Sequence, residues 1–85
     1  MDYQEIDREM SSFVVICKRG KTLFFVSDNP SESATDIWDN ARRYRYEDRA
    51  GEAMARARSE FAWPWYVVSV PEAINLRAEH TQRTN

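Results

Sequence analysis

The chain has little of what small enzymes and metal sites are built from. Its 85 residues include two glycines, one cysteine and one histidine. With glycine only at positions 20 and 51, no glycine-rich phosphate loop can be written. One cysteine excludes an intramolecular disulfide, and because small secreted domains are usually stapled, a reducing compartment is expected. One Cys and one His cannot supply a zinc site of the common spacings. Cys17 lacks a histidine near it in sequence and reads as a small buried hydrophobe, not a nucleophile. His80 falls in a polar C-terminal stretch, a poor position for a general base held to geometry. No apolar run reaches the roughly 18–20 residues that span a bilayer. The opening Met1-Asp2-Tyr3-Gln4-Glu5 is acidic and lacks a signal-peptide layout. No catalytic residue, metal or cofactor is therefore expected, and the expected location is cytoplasmic.

What is present is aromatic and charged. Eleven aromatics, 13% of the chain, can bury a real core in a domain this short, since each ring covers roughly 150–250 Å². A hydrophobic content of 42% excludes a disordered composition. The net charge of −2 names no partner class, but acid and base are segregated along the chain. Asp28, Glu32, Asp36 and Asp39 form one acidic stretch, and Arg42, Arg43 and Arg45 follow it closely.

Periodicity predicts a small α+β domain. Ser12–Lys18 and Thr22–Ser27 read as strands joined through an Arg19-Gly20 turn, with Ile16 facing Leu23 and Lys18 facing Lys21. One hairpin face is Val14, Ile16, Leu23 and Phe25; the other carries Phe13, Val15, Cys17, Thr22, Phe24 and Val26. The stretch 31–46 is ambiguous. Ser33 and Asp36 have capping-box spacing for a short helix, and a loop leading to a brief strand at Ala41–Tyr44 fits as well. Glu47–Phe61 is the most secure helix, with Ala50, Ala53, Met54, Ala57 and Phe61 on one stripe and Glu52 set to pair with Arg56. Trp63-Pro64-Trp65 leads into a strand over Trp65–Val70, which Pro71 ends. The expected architecture is a small antiparallel sheet, the hairpin plus the C-terminal strand and a possible short fourth strand, packed on one main helix. The order is β-β-(short helix or strand)-α-β. Residues 1–76 are expected to form a single compact domain with its core in 12–70. Residues 1–11 read as a lead-in or one helical turn, and 77–85 as a mobile polar tail.

Three features could carry function. Arg42-Arg43-Tyr44-Arg45-Tyr46 interleaves guanidinium groups with phenols, which suits a protein interface or single-stranded nucleic acid. The bland alternative puts Tyr44 in the core and the arginines against Glu47, Asp48 and nearby carboxylates. Glu32, Asp36 and Asp39 would fall on one helical face at i, i+4, i+7, an acidic row that could meet a basic groove; as a bland face, it would only keep the protein soluble. Trp38 belongs to an aromatic surplus: with both hairpin faces apolar and one helix to cover them, the second face is expected to be an interface. The alternative there is cover from the 31–41 segment and the N-terminal residues.

The hairpin FVVICKRGKTLFFVSDN, a Trp, the run ARRYRYEDRAGEAMARAR and a final WYVVSV resemble in layout many small phage and prophage accessory proteins. The likeness spans about residues 12–70. Some members of that class are anti-defence inhibitors, anti-CRISPR proteins among them, and the resemblance implies a non-catalytic protein that occludes a host nucleic-acid-handling complex. The expected partner is thus another protein, a host protein or nucleoprotein complex, and not a membrane. Direct RNA or single-stranded DNA binding through Arg42–Tyr46 and a structural homodimer through the free sheet face are the alternatives.

Overall fold

The computed structural model describes residues 11–83. Strands β1 (Phe13–Arg19) and β2 (Thr22–Val26) form the hairpin; β3 (Ala34–Thr35) follows, then a 3₁₀ turn at Trp38–Asn40. Helix α1 (Glu47–Glu60), strand β4 (Tyr66–Ser69) and helix α2 (Val70–Arg83) complete the described chain. The strands form one antiparallel sheet in the order β3-β2-β1-β4, an α+β architecture. The lead-in expected over residues 1–11 lies, apart from Ser11, outside the described residues.

The hairpin pairs two residues away from the expected register. Ile16 faces Phe25 and Lys18 faces Leu23, with Arg19 opposite Thr22, so the loop is Gly20-Lys21 and not Arg19-Gly20. Gly20 takes φ 58° and no other described residue has positive φ. Glycine at the first central position, followed by an ordinary residue, is the requirement of a type II′ hairpin turn. This register also separates Lys18 from Lys21, whereas the expected one set like charges directly opposite each other. A shift of two residues preserves side-chain parity, so both faces keep the membership read from the sequence.

Each face carries its own core. Val15, Cys17 and Trp65 lie under Ala50, Ala53 and Ala57 of α1, whose small side chains let the helix sit close to the sheet. On the opposite face Val14, Ile16, Phe25 and Val68 pack with Val70 and Ala73 of α2, with Trp38 and Leu76 at the margin. The second face is therefore covered within the chain, chiefly by α2, so the open apolar sheet face expected from the sequence is absent. Stacked rings close the hairpin end on the α1 side. Trp63 lies 4.8 Å from Phe61 and 5.6 Å from Trp65, with Phe24 at 5.2 Å and the Arg19 guanidinium 4.3 Å from its ring centre.

Two stretches differ from expectation. Residues 77–83 are helical and continue α2 instead of forming a tail. Ser69-Val70-Pro71-Glu72 starts that helix: the Glu72 amide donates to Ser69 Oγ at 3.3 Å, and Pro71 occupies the first turn, where its missing N–H has no intrahelical acceptor. His80 lies on α2, its Nε2 donating to the Lys21 carbonyl and pinning the helix to the hairpin turn. The stretch 31–46 forms no α-helix. The Ile37 amide goes to Thr35 Oγ1 at 3.1 Å, a local bond that competes with helix. Asp28 donates its amide to the Asn40 carbonyl at 2.8 Å, and Arg42 its amide to Val26 at 2.9 Å, which ties the segment along the sheet edge. Isolated bridges at Ala41 and Tyr44 stand where the brief strand was an alternative. On α1, Glu52 pairs with Arg49 at 3.5 Å, not with Arg56.

Candidate functional site

The clearest surface is centred on Trp38. The 3₁₀ turn lays its ring half-buried over the α2-side core, edge-on to Phe25 at 5.3 Å. Two guanidinium groups sit against it, Arg43 at 4.0 Å and Arg77 at 4.9 Å from the ring centre. Arg43 also donates Nη1 to the Ala41 carbonyl at 2.6 Å and to the Trp38 carbonyl at 3.2 Å, so its side chain braces the turn that presents the ring. Ile37, the chain neighbour of Trp38, is 53% exposed. Ile74, three residues before Arg77 and on the same side of α2, is 41% exposed. Asp36 and Asp39 are exposed beside Trp38 in the chain. Tryptophan and arginine held rigid among aliphatic neighbours are what anchors a protein interface.

The Arg/Tyr run does not form one patch. Alternation of the extended backbone sends Arg43 to Trp38, while Arg42 lies 5.4 Å from the ring centre of Tyr44 on the α1 side. Tyr44 is half-buried in the α1-side core, as the bland reading had it. Burial pushes its phenol above the ordinary value of 10.0, and Asp28 adds to the rise; Arg42 and Arg56 pull the other way without cancelling it. Arg45 stands 5.6 Å from the ring of the exposed Tyr46, immediately before α1.

The acidic residues are dispersed as well. Glu32 lines a hollow of about 200 Å³ between α1 and the β2–β3 loop, together with Arg42, Tyr44, Arg56 and Glu60. Its Oε2 accepts the Ser27 hydroxyl at 3.3 Å. Asp36 lines a different hollow beneath α2, and Asp39 a third with Asp28. The expected row of carboxylates therefore does not exist, because the helix that would have aligned it does not form.

Ile37, Ile74 and Arg77 are surface residues that sequence reasoning did not single out for a site. The capping spacing Ser69–Glu72 was the available signal for the first turn of α2, and with it for Ile74 and Arg77 on one helical side. Cys17 is fully buried, and burial pushes its thiol above 9.0 despite the opposing pull of Arg19. Among the described residues no group of three or more His, Cys, Asp or Glu could hold a metal ion, and no helix is long and apolar enough to cross a membrane. No protein-family model, no curated protein and no solved structure matches the chain.

Proposed function

We propose that the protein is a non-catalytic binding module that docks on another protein through the Trp38 surface. The observation that supports this is one ring set between Arg43 and Arg77, with exposed Ile37 next to it in the chain and exposed Ile74 one helical turn from Arg77. Folding alone has little use for Ile37 and Ile74 in water, and an interface would bury both. The resemblance of the sequence in layout to small phage and prophage accessory proteins extends the proposal to an inhibitor that occludes a host nucleic-acid-handling complex. Direct nucleic-acid binding through residues 42–46 loses support, because the arginines diverge and Tyr44 is committed to the core.

A tagged pull-down from bacterial lysate, with nuclease, tests the proposal. A stoichiometric protein should be captured by the wild type and lost by Ile37→Glu and Ile74→Glu. Each should weaken binding by about 30-fold, the size of a 2 kcal/mol anchor. Arg42→Glu, on the other side of the sheet, should bind normally. Capture that ignores both isoleucine variants would place the binding surface elsewhere.

A further inference from the structure

The hollow of about 200 Å³ between α1 and the β2–β3 loop holds four charged groups that the Trp38 surface does not use. Ala53 and Ala57 of α1 form part of its wall, and their short side chains leave the space beside the helix open. Arg42 and Arg56 line it with Tyr44, the Arg42 guanidinium 5.4 Å from the Tyr44 ring centre. Both guanidinium groups act on the Tyr44 phenol, whereas neither Glu32 nor Glu60 is among the groups that do. Glu60 stands one helical turn beyond Arg56, about 6 Å along the axis of α1. Glu32 is held in its loop by the Ser27 hydroxyl at 3.3 Å. Among the described residues no ion pair joins either arginine to either glutamate. The hollow thus has a cationic end at Arg42, Tyr44 and Arg56, with two carboxylates set apart from it, and its four charges sum to zero.

We propose that this hollow binds a small zwitterion, a free α-amino acid with an aliphatic side chain. Its carboxylate accepts from Arg42, Arg56 and the Tyr44 hydroxyl, which burial keeps protonated at neutral pH. Its ammonium donates to Glu32 or Glu60, and its side chain lies against Val26, Ala53 and Ala57. A simple anion or cation suits the hollow less, because each meets one attractive pair and one repulsive pair. The end of a peptide chain carries only one of the two charges. Drug-sized ligands fill roughly 300–1,000 Å³, so a smaller molecule fits here. Both arginines are exposed, which screens their pull and sets the expected Kd at about 1 mM.

The test titrates L-leucine into the full chain, isotope-labelled, and follows backbone amide shifts at about pH 6.5, below the α-amino pKa of about 7.7–8.0. Saturable shifts should centre on 29–33, 42–44 and 53–60. N-acetyl-leucine keeps only the carboxylate and leucinamide only the ammonium; each should bind about tenfold more weakly. Arg56→Gln and Glu60→Gln, both exposed on α1, should each weaken L-leucine about tenfold with the melting temperature unchanged. The Ile37→Glu/Ile74→Glu double variant should bind L-leucine like the wild type, so this site and the docking surface stand or fall separately. Shifts that are absent, do not saturate or fall elsewhere overturn the proposal. N-acetyl-leucine binding as tightly as L-leucine would also overturn it and make the hollow a carboxylate site. Leucinamide doing so would make it an amine site.

Discussion

The two glycines receive opposite predictions from the same substitution. At Gly20 an added methyl group would meet nothing within 4 Å, so a side chain there is disfavoured by backbone conformation and not by a clash. With φ at 58°, Gly20→Ala should cost about 1–2 kcal/mol, the penalty of a left-handed residue. Asparagine, which tolerates that region, should recover part of the loss. Gly51 lies inside α1, also with open space where a Cβ would go. There Gly51→Ala should stabilise by about 1 kcal/mol, because helix propensity is the only term that changes. Urea unfolding of the three variants measures all of this. A neutral Gly20→Ala would mean that the hairpin does not use this turn.

At the scale of elements, α2 decides what the C-terminal stretch is for. A polar tail could be removed at no cost. A helix that covers Leu23, Phe25 and Trp38 and is pinned by His80 could not. Deleting residues 77–85 should therefore cost at least about 2 kcal/mol, which in a domain of this size lowers the melting temperature by about 8–16 °C. A truncated chain that melts with the full one would return the segment to the status of a tail. The hairpin faces, α1 and β4 were legible in the sequence because alternation and the alanine stripe are local signals that packing reinforced. The second half of α2 was not, because Arg77, Glu79 and His80 give it no apolar stripe and its buried anchors, Val70 and Ala73, sit in the first turn next to a proline. The candidate surface was legible only in Trp38 and Arg43. Arg77 joins them through the tertiary fold, which brings residues nearly forty positions apart to one ring, and no sequence window contains that.

At the scale of the whole molecule, three acids among the described residues shape the response to alkali: buried Cys17, half-buried Tyr44 and the more exposed Tyr66. Cys17 has an ordinary value of 9.0, and Tyr44 and Tyr66 of 10.0; all three are raised in the folded protein, chiefly by burial. For Tyr66, Glu72 and Cys17 push the same way. An acid whose value is raised on folding holds its proton more tightly in the native state, so its contribution is complete below the unfolded value. As pH passes that value the unfolded chain ionises while the native chain does not, and the unfolded state gains free energy. Stability should therefore be insensitive to these groups up to about pH 8 and decline progressively above about pH 9. Cys17→Ala should remove the earliest part of the decline, at the cost of a small cavity beneath α1. Tyr44→Phe should remove a later part while keeping the ring in the core. Denaturant midpoints between pH 7 and 10.5, read for the wild type and both variants, provide the measurement. A wild-type midpoint that holds steady to pH 10.5 would show that these groups ionise as readily in the folded protein as in the unfolded chain. The α1-side core, with Cys17 buried and Tyr44 half-buried in it, would then be too open to hold their protons.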